Sequence, residues 1–243
     1  MNYPTKWALG LALSLTLVLA GTGAAGGGVS AAEDKSPASE IKKVDDAVRV
    51  LEEMMKESDK GIPQELFEKC AGVAILPNVI KAAYIVGGRH GNGVLAVRGK
   101  DGRWTNPSFI GITGGSLGWQ IGVESADVIL VFRTPRSIEN ITKGKFTMGA
   151  DAGVAAGPLG RSAEASTDAQ LKAEIYSYSR SRGLYAGLSL QGTSLYVDGN
   201  ANKEFYGLKE VSPQEIFDGK VGNVPEAAGK LREVLAKYTG PGK

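Results

Sequence analysis

The chain has 243 residues, enough for one domain or two small ones with a real core, and its formal net charge of +2 carries no basic excess of the kind that argues for nucleic acid. One histidine and one cysteine are too few to close a zinc site or an internal disulfide. The 34 glycines follow no Gly-X-Y period, which excludes collagen and assigns them to turns, bulges and close strand packing.

Lys6, the apolar run 7–20 and the small residues Val29, Ser30, Ala31 and Ala32 have the form of a cleaved secretion signal over residues 1–32, cut after Ala31 or Ala32. The run is shorter than the ~20 residues a spanning helix needs. It holds no cysteine for a lipoprotein anchor, so the mature chain is expected in the periplasm or secreted. Loss of Lys6 lowers the net charge from +2 to +1.

Residues 33–39 read as a polar linker. Ser36 followed by Pro37 marks a helix start, and Ile41, Val44, Val48, Leu51 and Met55 recur at helical spacing, predicting a helix over 37–57. Residues 58–63 break it, and Pro63 opens a short second helix ending near Cys70. That cysteine, among Leu66, Phe67, Ala71 and Val73, reads as a small buried residue.

Strand patterns follow at 72–76, 82–86 and 94–98, the last two flanking a glycine-rich turn, GGRHGNG. Lys100-Asp101-Gly102 signals a hairpin. Residues 109–121 read as a strand interrupted by glycines, and 127–132 (DVILVF) as a fully buried strand. Thr134 and Pro135 open a helix through Ile141. Strands are expected at 146–156, 171–180, 184–191 and 194–197, and helices at 213–217 and 225–238. Helix, many strands, helix is the order of an α+β domain over 40–240: a curved antiparallel sheet or barrel-like core with N- and C-terminal helices packed on it.

No motif carries convincing catalysis. Gly114-Gly115-Ser116-Leu117-Gly118 matches G-x-S-x-G, but strand-like residues rather than a helix follow it, and His90 lies upstream. Asp198-Gly-Asn200-Ala-Asn202 resembles the start of a calcium loop, yet Lys203 and Lys209 stand where that loop needs Gly and Glu, so a polar turn is expected. No phosphate-binding or dinucleotide-binding glycine motif is present.

Charge is more informative. Lys81, Arg89, Arg98, Lys100 and Arg103 face Asp101 alone between residues 79 and 103, with His90 a titratable addition. Arg133, Arg136, Lys143 and Lys145 form a second run, opposed by Glu139, and Arg180 and Arg182 flank a third turn. If these turns share one end of the sheet they make an anion-attracting surface suited to phospholipid headgroups; the alternative is ordinary solvated turns. In 171–180, Leu171, Ala173 and Ile175 alternate with Lys172, Glu174, Tyr176, Tyr178 and Arg180. With Tyr185 of the next strand, the tyrosines would make an interface for lipid or protein, or lie under a second packed layer.

Taken together, CAGVAILP (70–77), GGRHGNGVLAVR (87–98), GGSLGWQIG (114–122), DVILVF (127–132), DAGVAAGPLGR (151–161), YSYSRSRGLYAGLSLQG (176–192) and Phe205-Tyr206-Gly207 resemble the SYLF domain. That family comprises lipid-binding modules of bacterial envelope proteins and of eukaryotic membrane-trafficking and actin-patch proteins. The resemblance implies binding rather than catalysis, with no cofactor. Its eukaryotic members bind phosphoinositides partly through an amphipathic N-terminal helix, and some bind actin. Here residues 38–57 carry Lys42, Lys43, Arg49 and Lys56 against Glu40, Asp45, Asp46, Glu52, Glu53 and Glu57, a net −2. A membrane-inserting helix is basic on its polar face, so this stripe is expected to pack on the domain instead.

The expectation is an exported, non-enzymatic module that recognises anionic phospholipid headgroups at the bacterial envelope. The residues expected to carry binding are Lys81, Arg89, His90, Arg98, Lys100, Arg103, Arg180 and Arg182, and charge reversal at Arg98 and Arg103 is expected to abolish it. The competing reading is an envelope protein-interaction module using Tyr176, Tyr178 and Tyr185.

Overall fold

The computed structural model describes residues 36–56, 61–83, 87–116, 122–144, 146–158, 173–181, 184–187 and 190–239. The signal segment, Lys145 and Arg182 lie outside them, as do the side chains of Ser116 and Tyr185. No helix among the described residues is long and apolar enough to cross a membrane.

Helices α1 (Pro37–Lys56) and α2 (Gln64–Glu68) lead into strands β1 (Gly72–Ala83), β2 (Gly87–Val97), β3 (Ser108–Ser116) and β4 (Gly122–Phe132). Then come α3 (Pro135–Thr142), β5 (Phe146–Thr147), β6 (Val154–Ala156), β7 (Ile175–Ser181), β8 (Leu184–Gly187) and β9 (Ser194–Val197). Helices α4 (Gly199–Tyr206), α5 (Pro213–Phe217) and α6 (Glu226–Thr239) close the domain. The strands form one curled sheet in the order β5-β9-β3-β2-β1-β4-β7-β6, with β8 also on β7. The architecture is α+β as expected, but the sheet is mixed rather than purely antiparallel, because β6 pairs in parallel with β7. A parallel pair needs a long connection, and residues 157–174 supply it.

The central strands are buried on both faces. On β1, Val73 and Ile75 enter a core with Val44, Leu51 and Met54 of α1, Phe67 of α2, Phe205 and Tyr206 of α4, and Leu231 and Leu235 of α6. Ala74, Leu76 and Val79 enter a second core with Ile138 and Ile141 of α3, Phe146, Met148 and Leu190. Two-sided burial explains why residues 127–132 read as one apolar run. The buried stripe of α1 is Val44, Ala47, Val48, Val50, Leu51 and Met54, while Ile41 sits at its exposed edge. Its polar face carries the exposed pairs Lys42–Asp46 and Arg49–Glu53. The helix packs on the domain, as its charge implied.

β1 runs straight through Pro77-Asn78, where a break between two strands was expected. The two residues sit in a bulge: Leu76 pairs with Val128 and Val79 with Ala126, leaving both opposite Asp127. Asn78 takes φ 53° there, and its N–H donates to the Asp127 carboxylate at 3.1 Å. GGRHGNG is likewise strand, not turn. A Cβ at Gly93 would lie 2.0 Å from the Ile75 carbonyl oxygen, and one at Gly91 2.7 Å from Val79 Cγ2. These glycines let β2 follow the bulged β1, so their role is close approach.

Residues 146–156 are two short strands around a turn rather than one strand, with Thr147 N–H donating to the Asp151 carboxylate at 2.6 Å. Asp198-Gly-Asn-Ala-Asn opens α4 and is not a free polar turn. The Asp198 carboxylate accepts from the N–H groups of Asn200 and Ala201, capping the helix, and Gly207 ends it in the left-handed region at φ 65°. α5 and β9 fall where the sequence places them, and Ser212 forms a full capping box with Glu215.

Gly93→Ala is expected to lose about 1–3 kcal/mol, the range for overpacking a filled site. Gly88→Ala, whose Cβ would meet nothing within 4 Å, leaves packing undisturbed. Urea denaturation of the two variants measures the contrast.

Candidate functional site

The basic residues singled out in the sequence divide between two ends of the sheet. Lys81 and Arg89 are direct cross-strand partners on β1 and β2, and His90 pairs with Ile80 on the other face. Arg98 lies nine residues further along, roughly 30 Å at ~3.3 Å per residue, and Lys100 and Arg103 belong to the hairpin beyond it. Lys81, Arg89 and His90 therefore do not meet Arg98, Lys100 and Arg103, and they lie in strands rather than turns.

At the hairpin end, Arg98 is a structural hub. Its guanidinium donates to the carbonyl of Gly102 at 3.1 Å, to that of Thr239 at 3.4 Å and to that of Glu68. It thus satisfies the C-terminal carbonyls of α2 and α6, which lack partners within their own helices. Its guanidinium also lies 5.9 Å from the centre of the Trp104 ring, and the Trp104 indole N–H donates to the Thr239 hydroxyl at 3.0 Å. Gly102, at φ 76°, completes the expected hairpin. Lys100 is exposed, and Arg103 projects into solvent with Asp101 2.6 Å away.

Arg180 is also committed within the fold. It bonds the carboxylate of Glu53 on α1 and, at 3.2 Å, that of Asp127 on β4, with its own side chain only 18% exposed. Asp127 therefore receives both Arg180 and the bulge N–H of Asn78. The Arg180 hydrogen bond is the chief cause holding the Glu53 carboxyl below its ordinary value.

The tyrosines do not form an open face. Tyr176 and Tyr178 are 3% and 1% exposed and belong to the core beneath α1, so a second packed layer covers them. The Tyr176 hydroxyl accepts from Ala173 N–H at 3.2 Å, and burial drives the Tyr178 phenol well above its usual range. The backbone of Tyr185 pairs with Arg180.

At the other end, Lys81 approaches Glu124 at 3.9 Å, and the half-buried Arg89 donates to the Thr193 hydroxyl at 3.1 Å. His90 is exposed, with Asn92 Nδ2 at 3.4 Å from its Nε2. Beside them are three large apolar side chains in solvent: Ile80 is 49% exposed, Val123 74% and Leu184 76%. The sequence reading missed these three. Val123 was the only one flanked by a visible signal, since it follows the glycine-rich segment and precedes Glu124.

Among the described residues no group of three His, Cys, Asp or Glu side chains could hold a metal. Cys70 donates its thiol to the Phe67 carbonyl at 3.0 Å, and burial pushes it up to about 12, as far from a reactive thiolate as its apolar neighbours implied. Ser116 ends β3, and the next described element is strand β4.

Residues 113–238 match the family model described as Ysc84, Las17-binding protein actin regulator. The chain is 37% identical over 204 residues to SH3 domain-containing YSC84-like protein 1 of Homo sapiens, covering 83% of this chain and 59% of that protein. It is 36% identical over 209 residues to Protein YSC84 of Saccharomyces cerevisiae, covering 83% and 43%. LAS seventeen-binding protein 3 of the same species is 34% identical over 209 residues, covering 83% and 44%. The chain spans about half the length of the curated relatives it matches.

Arg180→Met is expected to cost about 1.5–3 kcal/mol, the range for hydrogen bonds to charged groups. Because Arg180 lowers the Glu53 pKa, its contribution is present above the unfolded carboxylate value and is lost as pH falls through the lower folded value. Denaturant melts across the acid range should show a shallower loss of stability in the variant than in the parent.

Proposed function

The chain belongs to the Ysc84 family, and on that premise we propose that it is a non-catalytic binding module that meets anionic phospholipid with the sheet end carrying Lys81, Arg89 and His90. The observation that carries this reading is the cross-strand pair of Lys81 and Arg89 on one face of the sheet, with His90 on the other, at the end away from the Arg98 hub. Each basic residue near an anionic surface contributes about 1 kcal/mol, screened by salt. Glu124, the partner of Lys81, is exposed and 3.9 Å away, a weak pair that a phosphate can replace. The signal-like N-terminus supports a location on the exported side of a bacterial membrane, in the periplasm or beyond.

A protein partner is the second reading, favoured by relatives and a family model named for binding Las17. It comes to this chain as an adaptor role with a different ligand class.

Co-sedimentation with vesicles of zwitterionic lipid, with and without anionic lipid, separates the two. The lipid reading predicts binding that requires the anionic lipid and weakens with salt. Lys81→Glu with His90→Glu should reduce it by about tenfold or more at ~1 kcal/mol per charge, whereas Lys100→Glu with Arg103→Glu leaves it intact. No sedimentation, or equal loss from the hairpin end, refutes this site and turns the question to a protein partner.

A further inference from the structure

Resting on the lipid reading, we infer that Ile80, Val123 and Leu184 form an apolar cap on this end of the sheet that enters the interfacial layer of the bilayer while Lys81, Arg89 and His90 meet headgroups. Burial along the helix-covered face of β1 falls from Val73 and Ile75, each 1% exposed, to Ile80 at 49%. Near the end of α1, Glu53 contacts Arg180 at the edge of that face. Beyond it, Ile80 pairs with Ser125 and Val123 with Ala82, so the two apolar side chains are diagonal neighbours on one face. Leu184 pairs with Ser181, one step beyond the Arg180–Tyr185 pair, and therefore points to the other face.

Apolar side chains thus wrap the end of the sheet instead of lying on one side of it. A second copy packing sheet on sheet, or a flat protein partner, would cover one face and leave the other wet. An end-on approach to a bilayer buries both. Glu124, beside Val123, faces Lys81. The opposite end of the sheet presents Lys100, Asp101 and Arg103 instead. Cations beside exposed apolar side chains are the combination that holds a protein in a membrane interface.

The test is binding of the chain to anionic vesicles at low and high salt, comparing it with the triple variant Ile80→Ser, Val123→Ser, Leu184→Ser, and with Val123→Trp. All positions are exposed, and a thermal melt confirms that the variants fold. The cap predicts that the parent keeps a salt-resistant fraction bound, that the triple variant binds at low salt but loses this fraction by about tenfold, and that Val123→Trp enlarges it. Parent binding that vanishes wholly at high salt, or a triple variant indistinguishable from the parent, overturns the cap and leaves headgroup attraction standing. Absence of binding by the parent at either salt overturns both.

Discussion

Arg180 bridging Glu53 and Asp127 sets the border on which the rest of this molecule is organised. Asp127 lies opposite the β1 bulge and accepts its Asn78 N–H, so one carboxylate ties the irregularity in β1 to β7 and, through Arg180, to α1. The three ionic groups are only partly buried, and each has its charge compensated by geometry. That spares the fold the cost of an unpaired buried charge. On one side of the junction the sheet is covered on both faces by helices and by the β5–β6 segment. On the other, Ile80, Val123 and Leu184 are exposed.

That division gives the two ends of the sheet different work. The hairpin end is a structural joint, where Arg98 closes the last turns of α2 and α6 and Trp104 is locked by Thr239. Its cations are spent on carbonyls or left in solvent. The other end sets Lys81 and the half-buried Arg89 near exposed apolar side chains.

Local signals were legible and long-range ones were not. Ser212-Pro213 with Glu215 announces α5, and the alternation of Ser194–Val197 announces β9, because each is decided by a few adjacent residues. Pro77-Asn78 and the glycines of GGRHGNG misled for one shared reason. Both accommodate a bulge between paired strands, and glycine required by a neighbour's carbonyl looks in sequence like glycine required by a turn. Asp198 reads as part of a polar turn until its carboxylate is seen to accept two backbone N–H groups. The roles of Arg98 and Arg180 depend on partners as distant as Thr239 and Glu53, which no local pattern reveals. Tyr176 and Tyr178 alternate as an exposed face would, yet they lie in the helix-side core, and periodicity cannot say what lies above a strand.

The central claim is one of orientation: the uncovered end of the sheet, not the hairpin end or α1, meets the ligand surface. Amide hydrogen exchange of the chain with and without anionic vesicles tests it most directly. The account predicts added protection in residues 80–83, 87–90, 123–126 and 184–187, with residues 99–104 and the polar face of α1 unchanged. Protection centred on 99–104 or on α1, with the other end unaffected, would contradict it.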